Sequence, residues 1–428
     1  MSGRILVTGL GGICAAGTGP AQIWDALAAG RSAVGPIRDW NASAWPAPVA
    51  AGIPDLDPRA LVEDRKLHKL LRRTDLFGLY AAARAIDASG LLAFRAGLDP
   101  AAAETFNDRS GVYVGPGGGA YQNQYEFFPA LTAAHGDLVA FGREMSAVVN
   151  PMFLLRSLPN NVLCHIGIRH GFKGPNACVT NHAVSGALAL LEAAWALRDG
   201  EADRAVAVGH DAPIEPENVL YYQRLGLLSG AAVRPFDADR DGTVLGEGAG
   251  AMVLETAETA AARGAPVLGE FLGGGCASEG EGLLSIRADG DGPARAMGLA
   301  LTDAGLRAAE VGLIVAHGNA TRHSDVSEAA AIRRVFGPAP PPVTGFKWSI
   351  GHLLAGSGAL EAALGLLALR RGLVPGVATL RTLDPDCAPL PVSPAPQAPR
   401  SDVVLTLSRG FGGIGVALLF RGLTGSVS

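Results

Sequence analysis

Short apolar runs alternate along this chain with longer stretches whose apolar residues recur every third or fourth position. That pattern predicts strands buried on both faces, alternating with helices, in an α/β fold. Arg4–Gly12 (RILVTGLGG) reads as a buried strand with a glycine exit, and residues 20–30 read as a helix. Residues 36–60, rich in Pro, Ala and Asp, read as a loop. Residues 64–92 read as one charged helix, and Arg109–Gly119 (RSGVYVGPGGG) as a strand running into a glycine turn. Residues 120–160, aromatic and with Pro at both ends, read as an insertion capping the fold. The run Ala177–Thr180 breaks at Asn181-His182 and passes through small residues into strong helix formers closed by Arg198-Asp199-Gly200. A strand, a tight turn and a buried helix in that order aim one side chain and several N–H groups at a single spot.

The second half repeats the first. Ser185-Gly186-Ala187-Leu188 with Arg198-x-Gly200 recurs as Ser357-Gly358-Ala359-Leu360 with Arg370-x-Gly372, every pair of mates standing at the same offset. Each copy continues into an apolar run (205–209 and 403–407) and a glycine-rich segment (246–255 and 410–420). The repeat predicts two similar α/β halves, 1–258 and 265–428, joined by a helical 256–263, with Ala183 opposite Ala355.

Composition changes this picture little. The 428 residues are 48% hydrophobic and 18% charged, enough apolar side chain for a large core, and the net charge of −5 does not favour nucleic acid or anionic lipid as a partner. Arg65, Lys66, Lys69, Arg72 and Arg73 cluster at helical spacing and could form a local basic patch. No signal-like leader and no window of eighteen apolar residues occurs, so a cytoplasmic protein that does not enter membranes is expected. The five cysteines show no CxxC spacing, so neither a disulfide framework nor a metal site is expected. The turn after Arg109 lacks the GKS/T or GxGxxG spacing of a nucleotide site.

Several ordered motifs carry a resemblance. GPNACVTNHAVSG (174–186), RPFDADRDGTVLGEGAG (234–250), AHGNATRHSD (316–325), KWSIGHLLAGSGALE (347–361) and GFGGIG (410–415) resemble, in order, motifs of the β-ketoacyl-acyl-carrier-protein synthases. These are the elongating condensing enzymes of fatty-acid and polyketide synthesis, and they include the chain length factors. The resemblance implies a thiolase-like αβαβα fold of two pseudo-symmetric halves. It also implies acyl groups delivered on the phosphopantetheine of an acyl carrier protein, with no other cofactor, and a homodimer or a heterodimer with a ketosynthase.

Counted through the first motif, Ala183 stands where the family has its nucleophilic Cys. A methyl cannot hold a thioester, so autonomous condensation is not expected. His317, His352 and Lys347 match the family's two histidines and lysine, whose work is to stabilise the enolate formed as a malonyl group loses carbon dioxide. The resemblance pairs Lys347 with a carboxylate matched by Glu328, and makes Asp325 a neighbouring structural acid. Phe411 matches the gating Phe, whose N–H joins that of position 183 in an oxyanion hole. Departures surround it: Arg409 replaces a Phe, Ile414-Gly415 replace Thr-Asn, and His182 precedes the missing nucleophile, where it could serve as a nucleophile itself or plug the acyl channel. Tyr222 is assigned to the neighbouring pocket. Three functions fit: a chain-length-factor-like subunit paired with a Cys-bearing ketosynthase, a malonyl-carrier-protein decarboxylase supplying an acetyl starter, or a non-catalytic binding homodimer.

Overall fold

Among the described residues, ten strands form one mixed sheet whose two ends repeat each other. The computed structural model describes residues 3–118 and 121–423. Gly119, the last glycine of the turn after Arg109, lies outside them. The first five strands are β1 (Ile5–Cys14), β2 (Ser110–Pro116), β3 (Asn176–Cys178), β4 (Arg204–Asp211) and β5 (Gly248–Thr256). The second five are β6 (Gly269–Ser278), β7 (Leu313–Val315), β8 (Val343–Thr344), β9 (Val403–Gly410) and β10 (Ile414–Gly422). Their order is β8-β7-β9-β10-β6-β1-β5-β4-β2-β3. Reading outward from the β6–β1 junction, both halves run first, fifth, fourth, second, third. The pairing sense repeats too: two parallel steps at each outer end, then antiparallel steps inward.

Five of the helices among the described residues complete the layers. α1 (Arg73–Ser89) covers β1, β4 and β5 on one outer face, and α3 (Asp291–Ala304), with α4 (Arg322–Phe336) beside it, covers β6 and β10 on the other. Between them lie α2 (Ser185–Arg198) and α5 (Ser357–Arg371), which touch strands of both halves. A helix enclosed on all sides must be apolar all round, and α2 buries eleven of its 14 residues. Its alanines supply helix propensity without bulk where strands of both halves close on the central pair. This is the α/β/α/β/α layering implied by the resemblance.

The two central helices are brought together by glycine. A Cβ added at Gly186 would lie 2.5 Å from the Ala355 carbonyl oxygen and 2.9 Å from Gly209 Cα, so the turn before α2, the turn before α5 and strand β4 meet with no room for a side chain. Gly186→Ala should therefore destabilise the protein by roughly 1–3 kcal/mol through overpacking. A lowered denaturant midpoint at unchanged slope would show it.

Two local expectations are corrected. The helix expected over 64–92 begins only at Arg73, because the Asp75 carboxylate accepts from the Arg72 N–H (2.9 Å) and holds Arg72 in an extended conformation that ends the preceding turns. The basic cluster is broken up as well. Arg72 is buried in an ion pair with Asp75, and Arg73 pairs with Glu247, so two of its five members face inward. Within 36–60, residues 35–36 pair with 49–50, and 58–61 form a helical turn. Four short helical segments occupy the 121–157 insertion. No helix among the described residues is long and apolar enough to cross a membrane.

Candidate active site

The site is built from two turns related by the internal repeat. At the first, His182 takes a left-handed conformation (φ 50°) and one turn of 3-10 helix (His182–Val184) leads into α2. Ser185 locks it: its Oγ accepts from the Asn181 N–H (2.7 Å) and donates to the His182 carbonyl (2.8 Å). The second turn repeats the device at the matching place in the other half. Leu354 is left-handed (φ 43°), Leu354–Gly356 forms the 3-10 turn, and Ser357 Oγ accepts from the Leu353 N–H (3.0 Å). Ala183 sits at the apex of the first turn, 1% exposed.

His352 stands just before the second turn and His317 just after β7, with ring centroids 5.0 Å apart at 78°. Each Nδ1 faces a backbone donor. The Arg409 N–H approaches His317 Nδ1 (3.3 Å), and the Leu354 N–H approaches His352 Nδ1 (3.2 Å), with Ser357 Oγ also at 3.2 Å. An N–H can only donate, so each Nδ1 accepts and each ring carries its proton on Nε2. Burial and the Lys347 charge hold both imidazoles well below their ordinary pKa. Two neutral rings thus present Nε2–H donors side by side, which suits charge that develops on a carbonyl oxygen.

Lys347 is fully buried behind them. Its ammonium donates to the His317 carbonyl (2.7 Å) and to both oxygens of Glu361 (2.7 and 3.0 Å). The expected pairing of Lys347 with Glu328 is therefore corrected, since the hydrogen-bonded carboxylate is Glu361. Glu328 instead accepts from the N–H groups of His317 (2.6 Å) and Gly318 (2.9 Å), fixing the loop that carries His317. Burial pushes Glu361 up to about 7, against the opposing effect of Lys347. Asp325 stands further back and accepts from the N–H groups of Phe236 (2.7 Å) and Ala320 (3.2 Å), tying the 234–250 segment to the His317 loop. Burial raises it to about 7 also.

A cavity of about 410 Å³ opens over the two histidines, and His182, Tyr222, Arg409 and Phe411 line it too. No cysteine is among its lining residues. Cys178 is half-buried on β3, and burial raises its thiol pKa. Arg409 lines the cavity without being an exposed cation. Its side chain is buried, donates to Ser327 Oγ (2.8 Å) and pairs with Glu279. His182 stacks on Phe411 with centroids 4.2 Å apart at 16°, and its Nε2 lies 2.6 Å from the Tyr222 hydroxyl. Among the described residues no group that would hold a metal occurs.

Burial lowers His182 to about 4. Its pKa in the unfolded chain is near 6.5, so its contribution to stability is complete above that value and is lost as pH falls toward 4. At pH 5 the protein should have lost about 2 kcal/mol through this group relative to pH 8. His182→Phe should remove that part of the acid sensitivity, which unfolding curves at the two pH values would show.

With this geometry in place, comparison with known proteins decides the family. The model described as Beta-ketoacyl synthase, N-terminal domain, matches residues 2–260, and that described as Beta-ketoacyl synthase, C-terminal domain, matches 268–381. This chain belongs to the beta-ketoacyl synthase family. Among its relatives, Nodulation protein E of Rhizobium sp. (strain N33) is 33% identical over 98% of this chain and 100% of its own length. The 3-oxoacyl-[acyl-carrier-protein] synthase 2 of Synechocystis sp. is 32% identical, over 98% of each chain. Among solved structures, the ishigamide ketosynthase/chain length factor superposes with a TM-score of 0.87 at 30% identity, covering 99% of this chain and 100% of that one. A type II PKS acyl-carrier protein in complex with its ketosynthase, AntDE:AntF, gives 0.82 at 25%, covering 99% of this chain and 100% of that one.

In this family member the structure gathers His182, Tyr222, His317, His352, Arg409 and Phe411 around one cavity, with Ala183 beneath it and Lys347, Glu328 and Asp325 behind. Two contributors were missed from the sequence. Glu361 carried a signal, being the lone acid in the otherwise uncharged start of α5. Glu279, the partner of Arg409, carried none, since 130 residues separate the two.

Proposed function

We propose that this chain is a non-condensing ketosynthase-family subunit that works beside a Cys-bearing ketosynthase in the manner of a chain length factor, on intermediates borne by an acyl carrier protein. One observation carries the reading: the apex of the elbow holds a buried methyl, Ala183, and no cysteine among the described residues lines the cavity in its place. Without a thiol the acyl-enzyme of ping-pong condensation does not form. The likeness to the ishigamide ketosynthase/chain length factor over nearly all of both chains supports the same role. Co-expression with a ketosynthase encoded beside it tests the proposal. The two should purify as a complex, and condensation should stop when this chain is omitted. Full condensation by the ketosynthase alone would refute it.

A second reading rests on a different observation, the two Nε2–H donors of His317 and His352. They favour decarboxylation of a malonyl thioester without covalent catalysis. The bond from the α-carbon to the carboxylate breaks, its electron pair becomes the enolate that the two donors hold, carbon dioxide departs, and a proton from water gives the acetyl thioester. Incubation of the purified protein with malonyl carrier protein, followed by mass, should then yield acetyl carrier protein.

A further inference from the structure

We propose that His182 is the specificity-determining residue that seals the elbow from the cavity, so that the site takes a malonyl-type thioester at His317 and His352 but no acyl chain at position 183. This rests on reading Ala183 as a silenced nucleophile position. Ala183 is 1% exposed and does not line the cavity, whereas its neighbours His182, Gly410 and Phe411 do. On the cavity side the rings of His182 and Phe411 lie nearly parallel at 4.2 Å, with Tyr222 5.9 Å from Phe411 and bonded to the imidazole. The ring is neutral, as packing against an apolar face requires.

The backbone on both sides is fixed. His182 occupies a left-handed conformation that Ser185 clamps from the far side of the turn. The Phe411 loop is pinned by the Arg409–Glu279 ion pair, by the Gly412 N–H donating to the Leu283 carbonyl (2.7 Å) and by the Glu279 N–H donating to the Gly413 carbonyl (3.1 Å). A loop tied on both sides of its aromatic residue does not swing aside at little cost, so the stacked pair forms a standing wall. Restoring a thiol alone would place it behind that wall.

Iodoacetamide labelling assigned to residue 183 by fragmentation, apart from Cys178 on the same peptide, tests this, because it reports access and not turnover. The Ala183→Cys thiol should label about tenfold or more slowly than the same thiol in Ala183→Cys/His182→Ala. Ala183→Cys/His182→Phe keeps a ring in the stack and should stay slow. Equal rates for Ala183→Cys and Ala183→Cys/His182→Ala overturn the proposal. So does a fast His182→Phe double variant, which would trace reactivity to the imidazole's chemistry and not its bulk. Should the cysteine variants fail to fold, His182→Ala alone should gain binding of an octanoyl pantetheine amide that the unaltered protein does not bind. No gain there also overturns it. Failure of the subunit or decarboxylase reading would appear in the condensation and acetyl-release assays, which are independent of labelling.

Discussion

Lys347→Met should destabilise the protein by roughly 3–5 kcal/mol, because it leaves the Glu361 carboxylate buried without its partner. The ammonium makes three contacts inside the molecule, two to Glu361 and one to the His317 carbonyl, and among the described residues Glu361 has no second ion pair to fall back on. The loss should depend on pH in a definite sense. Burial already raises Glu361 to about 7, and without Lys347 its ionised form is penalised further. The deficit should therefore grow from pH 6 to pH 8 as the acid is forced to ionise, and shrink on acidification as it takes up a proton. Lys347→Met/Glu361→Leu should recover much of the stability, since it removes both charges together. Unfolding curves for the two variants at the two pH values decide the matter. A Lys347→Met protein as stable as the parent would show that the pair is not what holds the His317 loop.

Under the decarboxylase reading, His317→Ala or His352→Ala should each lower the release of acetyl carrier protein from malonyl carrier protein by about 10²–10³-fold, the usual cost of one preplaced donor to a developing oxyanion. The geometry specifies what rescue should look like. Each ring offers Nε2–H because its Nδ1 is engaged by a backbone N–H, so Asn or Gln, which keep an N–H but cannot titrate, should retain more activity than Ala. Neither ring gains by protonation, as both are held well below their ordinary pKa by burial and by Lys347. Donor capacity should therefore persist from neutral pH into the mildly acidic range. Single Ala variants within about tenfold of the parent would show that the imidazoles do not meet the enolate.

The histidines also show how the two halves cooperate. His352 belongs to the turn that mirrors the elbow, and Ser185, which clamps the first turn, has its counterpart in Ser357, in contact with His352. In the first half that turn presents a methyl, in the second it positions a donor. Duplication supplied the frame, and the two copies took different chemistry.

The sequence by itself determined the element order, the duplication and the register of the site. The constant offset between Ser185 and Ser357, and between Arg198 and Arg370, fixes which residues are mates. The spacing within the 347–361 segment likewise sets a lysine and a histidine just ahead of a turn rich in small residues. Such information is local, so it survives in the one-dimensional string. Charge partnership is not local. Lys347 chose Glu361 over Glu328, Arg72 and Arg73 turned inward to Asp75 and Glu247, and Arg409 was drawn into the interior by Glu279. In each case desolvation makes an unpaired charge costly, and which opposite charge lies within reach depends on how sheet and helices fold back on one another. The closure at His182 belongs to this second kind, because its imidazole becomes a wall only once Phe411 and Tyr222, distant from it along the chain, arrive against it.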